Sequence, residues 1–267
     1  MAANEAVEEA FKDGILTAAS LMVGADAAED AVIRANQLHG LGVGLHVVVV
    51  CGRPILPAEE VPDLVDGSGM FDTNLVRAGF RYFFVRKVRR QLEREICAQF
   101  DAFQKTGFPL DHVNAHNHMH LHPTVLSLVL KVGVRFGLRA MRVPDEPSCV
   151  PGAAPLSLRG RIGRLFLGIW LGLLRGRLRR VGVVGNDRVY GIRDSGSLVR
   201  ERMLSLLAEM PDGVTEIFLH PARGGWDGVE EAARHYRFEE EFHALVDADV
   251  KVAATASGAT LTAFCGI

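Results

Sequence analysis

The chain has 267 residues, a formal net charge of −2 and 48% hydrophobic residues. This is enough apolar material for one large α/β domain or two small ones, and the charge gives no indication of a nucleic-acid partner. The four cysteines are widely separated, which argues against a zinc knuckle or a dithiol redox centre and is typical of a reducing compartment. The first residues, MAANEAVEEAF, lack the basic and apolar segments of a secretion signal, so the sequence predicts a cytoplasmic protein.

Hydrophobic periodicity predicts helices and strands that alternate along the chain. Helical spacing at residues 4–13 and 26–38 alternates with strand-like apolar runs at 15–23 and 43–50. Strand–helix alternation predicts a parallel sheet with helices packed outside it, within one domain spanning residues 1–267. The remaining predicted segments are a loop at 51–74, a long helix at 75–106, a strand at 112–115, a helix at 124–136, strands at 139–143 and 214–220, a helix at 230–247 and a strand at 250–254.

Residues 159–180 depart from the average because seven arginines flank an apolar run at 165–174. As a helix, the ten-residue apolar run rises only about 15 Å, half of a ~30 Å hydrocarbon core, so it cannot span a bilayer. We consider two interpretations of this amphipathic insertion around 156–180. It packs on the domain with a solvated basic rim, or it docks peripherally at the inner face of the membrane.

The segment 112–123, HVNAHNHMHLHP, contains five of the ten histidines. Neutral imidazole is a good ligand for divalent transition ions, but at most one or two rings of a short extended segment can reach one ion. Reactive side chains of α/β folds gather at the carboxyl ends of strands, where we expect His46, His116 and His220. The pattern indicates a metal site; solvated loop histidines and buried core histidines are the alternatives.

Five segments carry a more specific resemblance. In their order and spacing they resemble the YdjC-like carbohydrate deacetylase family, in its branch associated with hopanoid biosynthesis, over essentially the whole chain. The resemblance implies a distorted (β/α) barrel of the polysaccharide-deacetylase type. It also implies metal-dependent hydrolysis of an N-acetyl group from an amino sugar, carried on a glycosylated hopanoid lipid. The segments are GILTAASLMVGADAAEDAV (14–32), VGLH (43–46), HVNAHNHMHLHP (112–123), LRAMRVPDE (138–146) and EIFLHPA (216–222).

The family motifs match individual positions of this chain. By resemblance, His46 and His116 hold one divalent ion together with an aspartate, and His220 is the general acid for the leaving amine. Family assignment favours Mg²⁺, whereas a histidine-rich site is chemically better suited to Zn²⁺ or a similar ion. The residues expected to contact substrate are Arg142, His118 and His120.

The sequence departs from the family at its start. Family members begin with a strand ending in Asp-Asp-Phe-Gly, which supplies the metal aspartate and a general base, and residues 1–13 lack this motif. We therefore expect a barrel lacking its first strand and a true start upstream of Met1. Asn114 also stands where an aspartate is usual. The alternatives are a catalytically impaired remnant that binds a glycolipid or a partner, and a metal-storage protein; a homo-oligomer is compatible with each.

Overall fold

The computed structural model describes residues 1–224 and 233–267. Strands and helices alternate through most of this range, as the periodicity predicts. The strands are β1 Ala18–Leu21, β2 Gly42–Val47, β3 Val113–Ala115, β4 Arg188–Tyr190 and β5 Thr215–Ile217. The α-helices are α1 Ala2–Asp13, α2 Ala28–Ala35, α3 Leu75–Phe84, α4 Arg86–Lys105, α5 Pro123–Gly133, α6 Leu158–Arg180, α7 Arg200–Ala208, α8 Phe238–Val246 and α9 Ala248–Ala256.

The strands form two parallel sheets. One contains β1, β2 and β3 in that order, and the other contains β4 and β5. Single parallel bridges extend the first sheet from Val113 to Met141 and connect Ala140 with Val184. The predicted α/β class with parallel strands is confirmed, whereas a closed barrel is not seen in these small sheets. Among the described residues, β1 and β5 are each paired along one side only.

The two faces of the three-stranded sheet differ because strand side chains alternate between faces. Val43, Leu45 and Val47 of β2 point into the main hydrophobic core, where they are at most 8% exposed. α4 and α5 pack against each other, and α4 also contacts β2. The alternate β2 positions Gly42, Gly44 and His46 lie on the opposite face. This polar face positions the candidate site.

Two sequence predictions are corrected. The helix predicted over 75–106 is interrupted at Val85, which has an extended conformation. The Arg89 side chain hydrogen-bonds the Tyr82 and Phe83 carbonyls and so satisfies acceptors that the end of α3 leaves open. The strand predicted at 250–254 is wrong: this segment lies in α9, which begins where the Asp247 carboxylate accepts two backbone N–H groups.

Other segments agree in type but differ in extent. The predicted strand at 139–143 forms only single bridges among the described residues. The predicted helix at 230–247 corresponds to Phe238–Val246 of α8, and its first residues, 230–232, lie outside the described part of the chain. The arginine-rich segment forms helix α6, whose Leu171, Leu174 and Leu178 are buried. None of the helices in the described ranges is long and apolar enough to cross a membrane.

Candidate active site

His46 and His116 lie at the ends of adjacent parallel strands and face each other. His46 is the fifth residue of β2, and His116 directly follows β3. The Nε2 atom of His46 is 3.4 Å from the Nδ1 atom of His116, and the rings are nearly perpendicular at 74°. Two nitrogens at about 2.0–2.1 Å from one tetrahedral metal ion stand roughly 3.3–3.4 Å apart. The pair therefore fits two corners of such a site.

A directional hydrogen-bond chain orients His46. Its Nδ1 is 2.6 Å from the Asn114 side-chain oxygen, which only accepts, so this nitrogen carries the proton. The amide of Asn114 donates to the Ser20 hydroxyl at 2.8 Å. The Oγ atom of Ser20 is 2.9 Å from His112 Nε2, to which it donates in turn. The Nε2 lone pair of His46 therefore points towards His116, as metal ligation requires.

The hydrogen-bond chain from His46 ends at the buried carboxylate of Asp111. His112 Nδ1 donates to Asp111 at 2.7 Å, and the backbone N–H of Cys265 donates to the same carboxyl group at 2.8 Å. Burial acts against ionisation of Asp111, but these hydrogen bonds lower its pKa below the usual value. The His112 ring stacks on Phe264 at 4.6 Å. Gly44 makes room for this ring, because a Cβ there would lie 2.4 Å from it.

Burial keeps His46 in its neutral form. Desolvation lowers the pKa of His46 well below 6.5, the positive charge of a protonated His116 adds to this effect, and the Asn114 hydrogen bond opposes it. Only neutral imidazole offers a lone pair to a metal ion. The site therefore supplies the form of His46 that a metal requires, even in mildly acidic solution.

The segment after His116 turns sharply. Asn117 and His118 have φ values of 51° and 52°, in the left-handed region that is sparsely populated by residues other than glycine. The segment His116–Leu121 is a kinked 3₁₀ turn, so its histidines point in different directions instead of along one face of an extended strand. Consecutive strained residues are frequent at functional sites. Here they carry His118 and His120 inward, while His122 packs outside between Tyr82 and Phe83.

A second group of histidines surrounds Phe218. Its ring lies 5.7 Å from His118 and 5.5 Å from His220, and His118 is 5.9 Å from His120. The Nδ1 atoms of His118 and His220 and both ring nitrogens of His120 are buried and make no hydrogen bond to described residues. Burial, aided by the charge of Arg142, lowers the pKa of His118 and of His220 to about 4. These rings are neutral at neutral pH.

Two carboxylates, the buried Glu241 and the partly buried Glu216, support this second group. Glu241 accepts the backbone N–H of His220 at 2.6 Å and that of Leu198 at 3.0 Å, which fixes the chain just after β5. Arg142 forms a two-pronged ion pair with Glu216, with its closest contact at 2.5 Å. The Arg142 guanidinium also lies 4.5 Å from the centre of the Phe218 ring. Both carboxylates hold the site rather than line an open surface.

The structure brings the sequence-predicted residues into one region. His118, His220 and Arg142 surround Phe218, and a protonated His116 would lower the pKa of both His46 and His220, so the two histidine groups are neighbours. In residues 1–224 and 233–267, however, no group of three or more His, Cys, Asp or Glu side chains is arranged to hold a metal ion. Sequence reasoning missed the series of hydrogen bonds that connects Asn114 with Asp111. The alternation of Asn114 with His112 along β3, both facing the His46 side of the sheet, is the signal that indicates it.

These features define a mixed α/β protein with a histidine-lined site at the carboxyl ends of its parallel strands. The family model for YdjC-like proteins matches residues 1–256, and the chain belongs to this family. The solved structure of a protein from Enterococcus faecalis V583 with a proposed role in cellobiose-phosphate cleavage shares the fold. It has a TM-score of 0.70 at 22% identity and covers 98% of this chain and 92% of that one.

Sequence relatives carry the name carbohydrate deacetylase. The one from Geobacillus stearothermophilus is 34% identical over 220 residues, which are 82% of this chain and 73% of the relative. The one from Thermoanaerobacter pseudethanolicus is 25% identical over 251 residues, 92% of this chain and 86% of the relative. A third, from Brevibacillus brevis, is 38% identical over 133 residues, and this match spans half of each chain.

Proposed function

We propose that this protein is a metal-dependent hydrolase that removes the N-acetyl group from an amino sugar. The observation that carries the proposal is the 3.4 Å separation of the His46 and His116 nitrogens at adjacent strand ends, with His46 held in a ligating tautomer. The names of the relatives support a carbohydrate amide as substrate. A divalent ion bound there would polarise the acetamide carbonyl and lower the pKa of water.

Zn²⁺ or a similar ion suits two imidazole ligands better than Mg²⁺, which prefers oxygen ligands. Catalytic sites of this kind use three protein ligands, so the proposal needs one more ligand from outside the described residues. By resemblance this ligand is an aspartate of the family's Asp-Asp-Phe-Gly strand, a motif that residues 1–13 do not contain. The unpaired sides of β1 and β5 among the described residues support room for such a strand.

His220 is the group that hands a proton to the leaving amine in this proposal. Its pKa of about 4 means that the ring begins neutral, so it must first take a proton inside the site. The ring of His118 and the Phe218 face form the wall against which the sugar rests, and the fully buried His120 packs behind His118. Arg142 is committed to Glu216 and therefore acts mainly by positioning Phe218 and the end of β5.

Within the proposal the amino sugar is attached to a lipid, a glycosylated hopanoid by resemblance, which the protein meets at the inner face of the membrane. The exposed apolar side chains of α6 support a lipid-linked substrate. A non-catalytic remnant that binds a glycolipid is the second candidate, favoured by the presence of two rather than three ligands among the described residues.

The test measures bound metal and acetate release from an N-acetylglucosaminyl lipid, with and without chelator, for this chain and for this chain extended by a strand with the family's Asp-Asp-Phe-Gly motif. His46→Ala and His116→Ala should lose the metal, and His220→Ala should keep it and lose turnover. His39→Ala is the matched control, because His39 is an exposed imidazole away from these strands. Unchanged metal content in the first two variants would remove the ligand assignment, and metal binding without acetate release in both chains would favour the remnant.

A further inference from the structure

Helix α6 exposes an apolar stripe of six side chains. They are between 51% and 73% exposed. At about 100° per residue they fall within roughly 100° of the helix circumference. The opposite face is buried in the core, so the stripe is not needed to pack the helix. The members of this α6 stripe are Leu158, Ile162, Leu165, Phe166, Ile169 and Leu173.

Arginines border the α6 stripe along both of its edges. Arg161 and Arg179 follow one edge and Arg159 follows the other, and all three are exposed. No carboxylate in the described ranges 1–224 and 233–267 forms an ion pair with them, whereas Arg164 and Arg175 of the same helix bind Asp145. An apolar face with unpaired arginines at both edges is the pattern of a helix that lies in a lipid interface.

Helix α3 carries a second exposed apolar face. Val76, Phe80 and Phe84 are 83%, 63% and 62% exposed, and Phe83 is 45% exposed. These four residues form the α3 face, which lines an open groove that ends at His122. The exposed Arg86 and Arg90 follow it in α4, and neither forms an ion pair with described residues. Exposed aromatic rings beside cations repeat the character of α6.

The two helices lie on either side of the same two residues. Trp170 of α6 donates its indole N–H to the Leu121 carbonyl at 2.9 Å. The next residue, His122, faces Phe83 of α3 at 6.3 Å and lies against Gly79. Leu121 ends the turn that begins with His116. Helices α6 and α3 therefore both contact the end of the segment that carries the candidate ligand.

We propose that the α6 stripe and the α3 face together form a docking surface for an anionic lipid bilayer. The apolar side chains enter the headgroup region, and the unpaired arginines meet anionic headgroups, each adding to the attraction within a Debye length of the surface. Docking is independent of the proposed function. Only the further step, in which the docked protein takes its amino sugar from a lipid, rests on that function. The surface lies on the membrane rather than across it, because the arginines of α6 interrupt its apolar residues and no described helix is both long and apolar enough to cross a bilayer.

Sedimentation with phosphatidylcholine vesicles, with and without phosphatidylglycerol, tests the proposal. The protein should bind anionic vesicles at low salt, release at high salt, and bind neutral vesicles at least about tenfold more weakly. Phe166→Ser with Ile169→Ser, and separately Phe80→Ser with Phe84→Ser, should each weaken binding about tenfold. Arg161→Gln with Arg179→Gln should weaken it and flatten the salt dependence.

The matched controls are Val252→Ser and Arg135→Gln, an exposed apolar residue of α9 and an exposed arginine after α5. Both should bind vesicles like the unaltered protein. Absence of binding to anionic vesicles, or equal binding by all variants, would overturn the proposal. So would a stable dimer that the Phe166→Ser and Ile169→Ser changes dissociate, since a second copy would then cover the stripe. Acetate release from a water-soluble N-acetyl sugar reports on the proposed function separately, because it does not need docking.

Discussion

On one side of the histidine site, the sheet of β1, β2 and β3 satisfies its polar side chains through a chain of hydrogen bonds from His46 to Asp111. On the other side, around Phe218, buried nitrogens of His118, His120 and His220 have no hydrogen-bond partner among the described residues. Buried polar atoms normally are paired, and each exception requires an explanation.

The side formed by β1, β2 and β3, here called the ordered side, is held in one arrangement by its own hydrogen bonds. The Phe218 side leaves polar atoms for a ligand. The ordered side holds one imidazole in one tautomer, as a metal ligand needs. The Phe218 side buries nitrogen atoms that have no hydrogen-bond partner among the described residues, beside an aromatic ring and a strained turn, as expected for groups whose partner is a ligand. Changes on the Phe218 side should therefore affect the pH dependence of stability, and changes on the ordered side should affect packing and metal affinity.

The largest expected effect is a loss of stability in mild acid. His118 and His220 have pKa values of about 4 when folded and about 6.5 when unfolded, so the unfolded chain binds more protons as the pH falls from 7 to 5. The free energy of unfolding should fall by roughly 2 kcal/mol for each ring over this interval. Urea unfolding of the metal-free protein at several pH values measures it.

His220→Asn provides the comparison, because it removes one of the buried neutral rings and should reduce the loss between pH 7 and pH 5 by that ring's share of roughly 2 kcal/mol. His39→Ala changes an exposed ring and should leave the slope unaltered. Equal stability at pH 7 and pH 5 in the unaltered protein would contradict the neutral burial of these rings.

Gly44→Ala should disrupt the ordered side. The new methyl group would lie 2.4 Å from the His112 ring, which cannot move without leaving Ser20, Asp111 or Phe264. Overpacking typically costs about 1–3 kcal/mol, and a broken buried hydrogen bond adds to this. Urea unfolding should show a loss of about 3 kcal/mol. Gly67→Ala, at a position with no neighbour within 4 Å, should change stability little; equal losses in both variants would contradict the packing argument.

Asn114→Ala should weaken metal binding by about 10–100-fold, because His46 loses the acceptor that fixes its tautomer. Calorimetric titration of the metal-free protein with Zn²⁺ measures the affinity. Asn114→Asp keeps the acceptor and should retain most of the affinity, and Asn36→Ala changes an exposed asparagine as control. If Asn114→Ala bound Zn²⁺ normally, the hydrogen bond to His46 would have no role in ligation.

The fold was predictable where hydrophobic patterns are long. The apolar run that contains β2 and the amphipathic spacing of α6 were identified from sequence because burial on one or both sides imposes those patterns. The error at residues 250–254 arose because a short apolar run is compatible with a strand or a helix. The capping position of Asp247 is the local signal that distinguishes them.

The site was predictable only in part. Strand-end position predicted that His46, His116 and His220 lie at the same edge, since parallel strands bring their carboxyl ends together, whereas their roles come from the family resemblance and stay predictions. The series of hydrogen bonds that leads to Asp111 was not predictable. It depends on the strand register, which sets Ser20 opposite Gly44 and His46 opposite Asn114. The left-handed turn at His118 was not predictable either, since tertiary contacts rather than local preference maintain it.

The smallest expected effect tests how far the ordered side reaches. Ser20→Ala removes the hydroxyl that links Asn114 to His112 while His46 keeps its direct partner, so Zn²⁺ affinity should fall by less than about tenfold. Ser20→Thr restores a hydroxyl and should restore affinity. Nitrogen-15 NMR of the metal-free protein should show one Nδ1-protonated tautomer for His46 in the unaltered protein and in Ser20→Thr, and a mixture in Ser20→Ala. Equal losses in both variants would mean that the space around residue 20, rather than its hydroxyl, matters. An unchanged tautomer in Ser20→Ala would mean that Asn114 alone fixes His46, and the influence of Asp111 would end at His112.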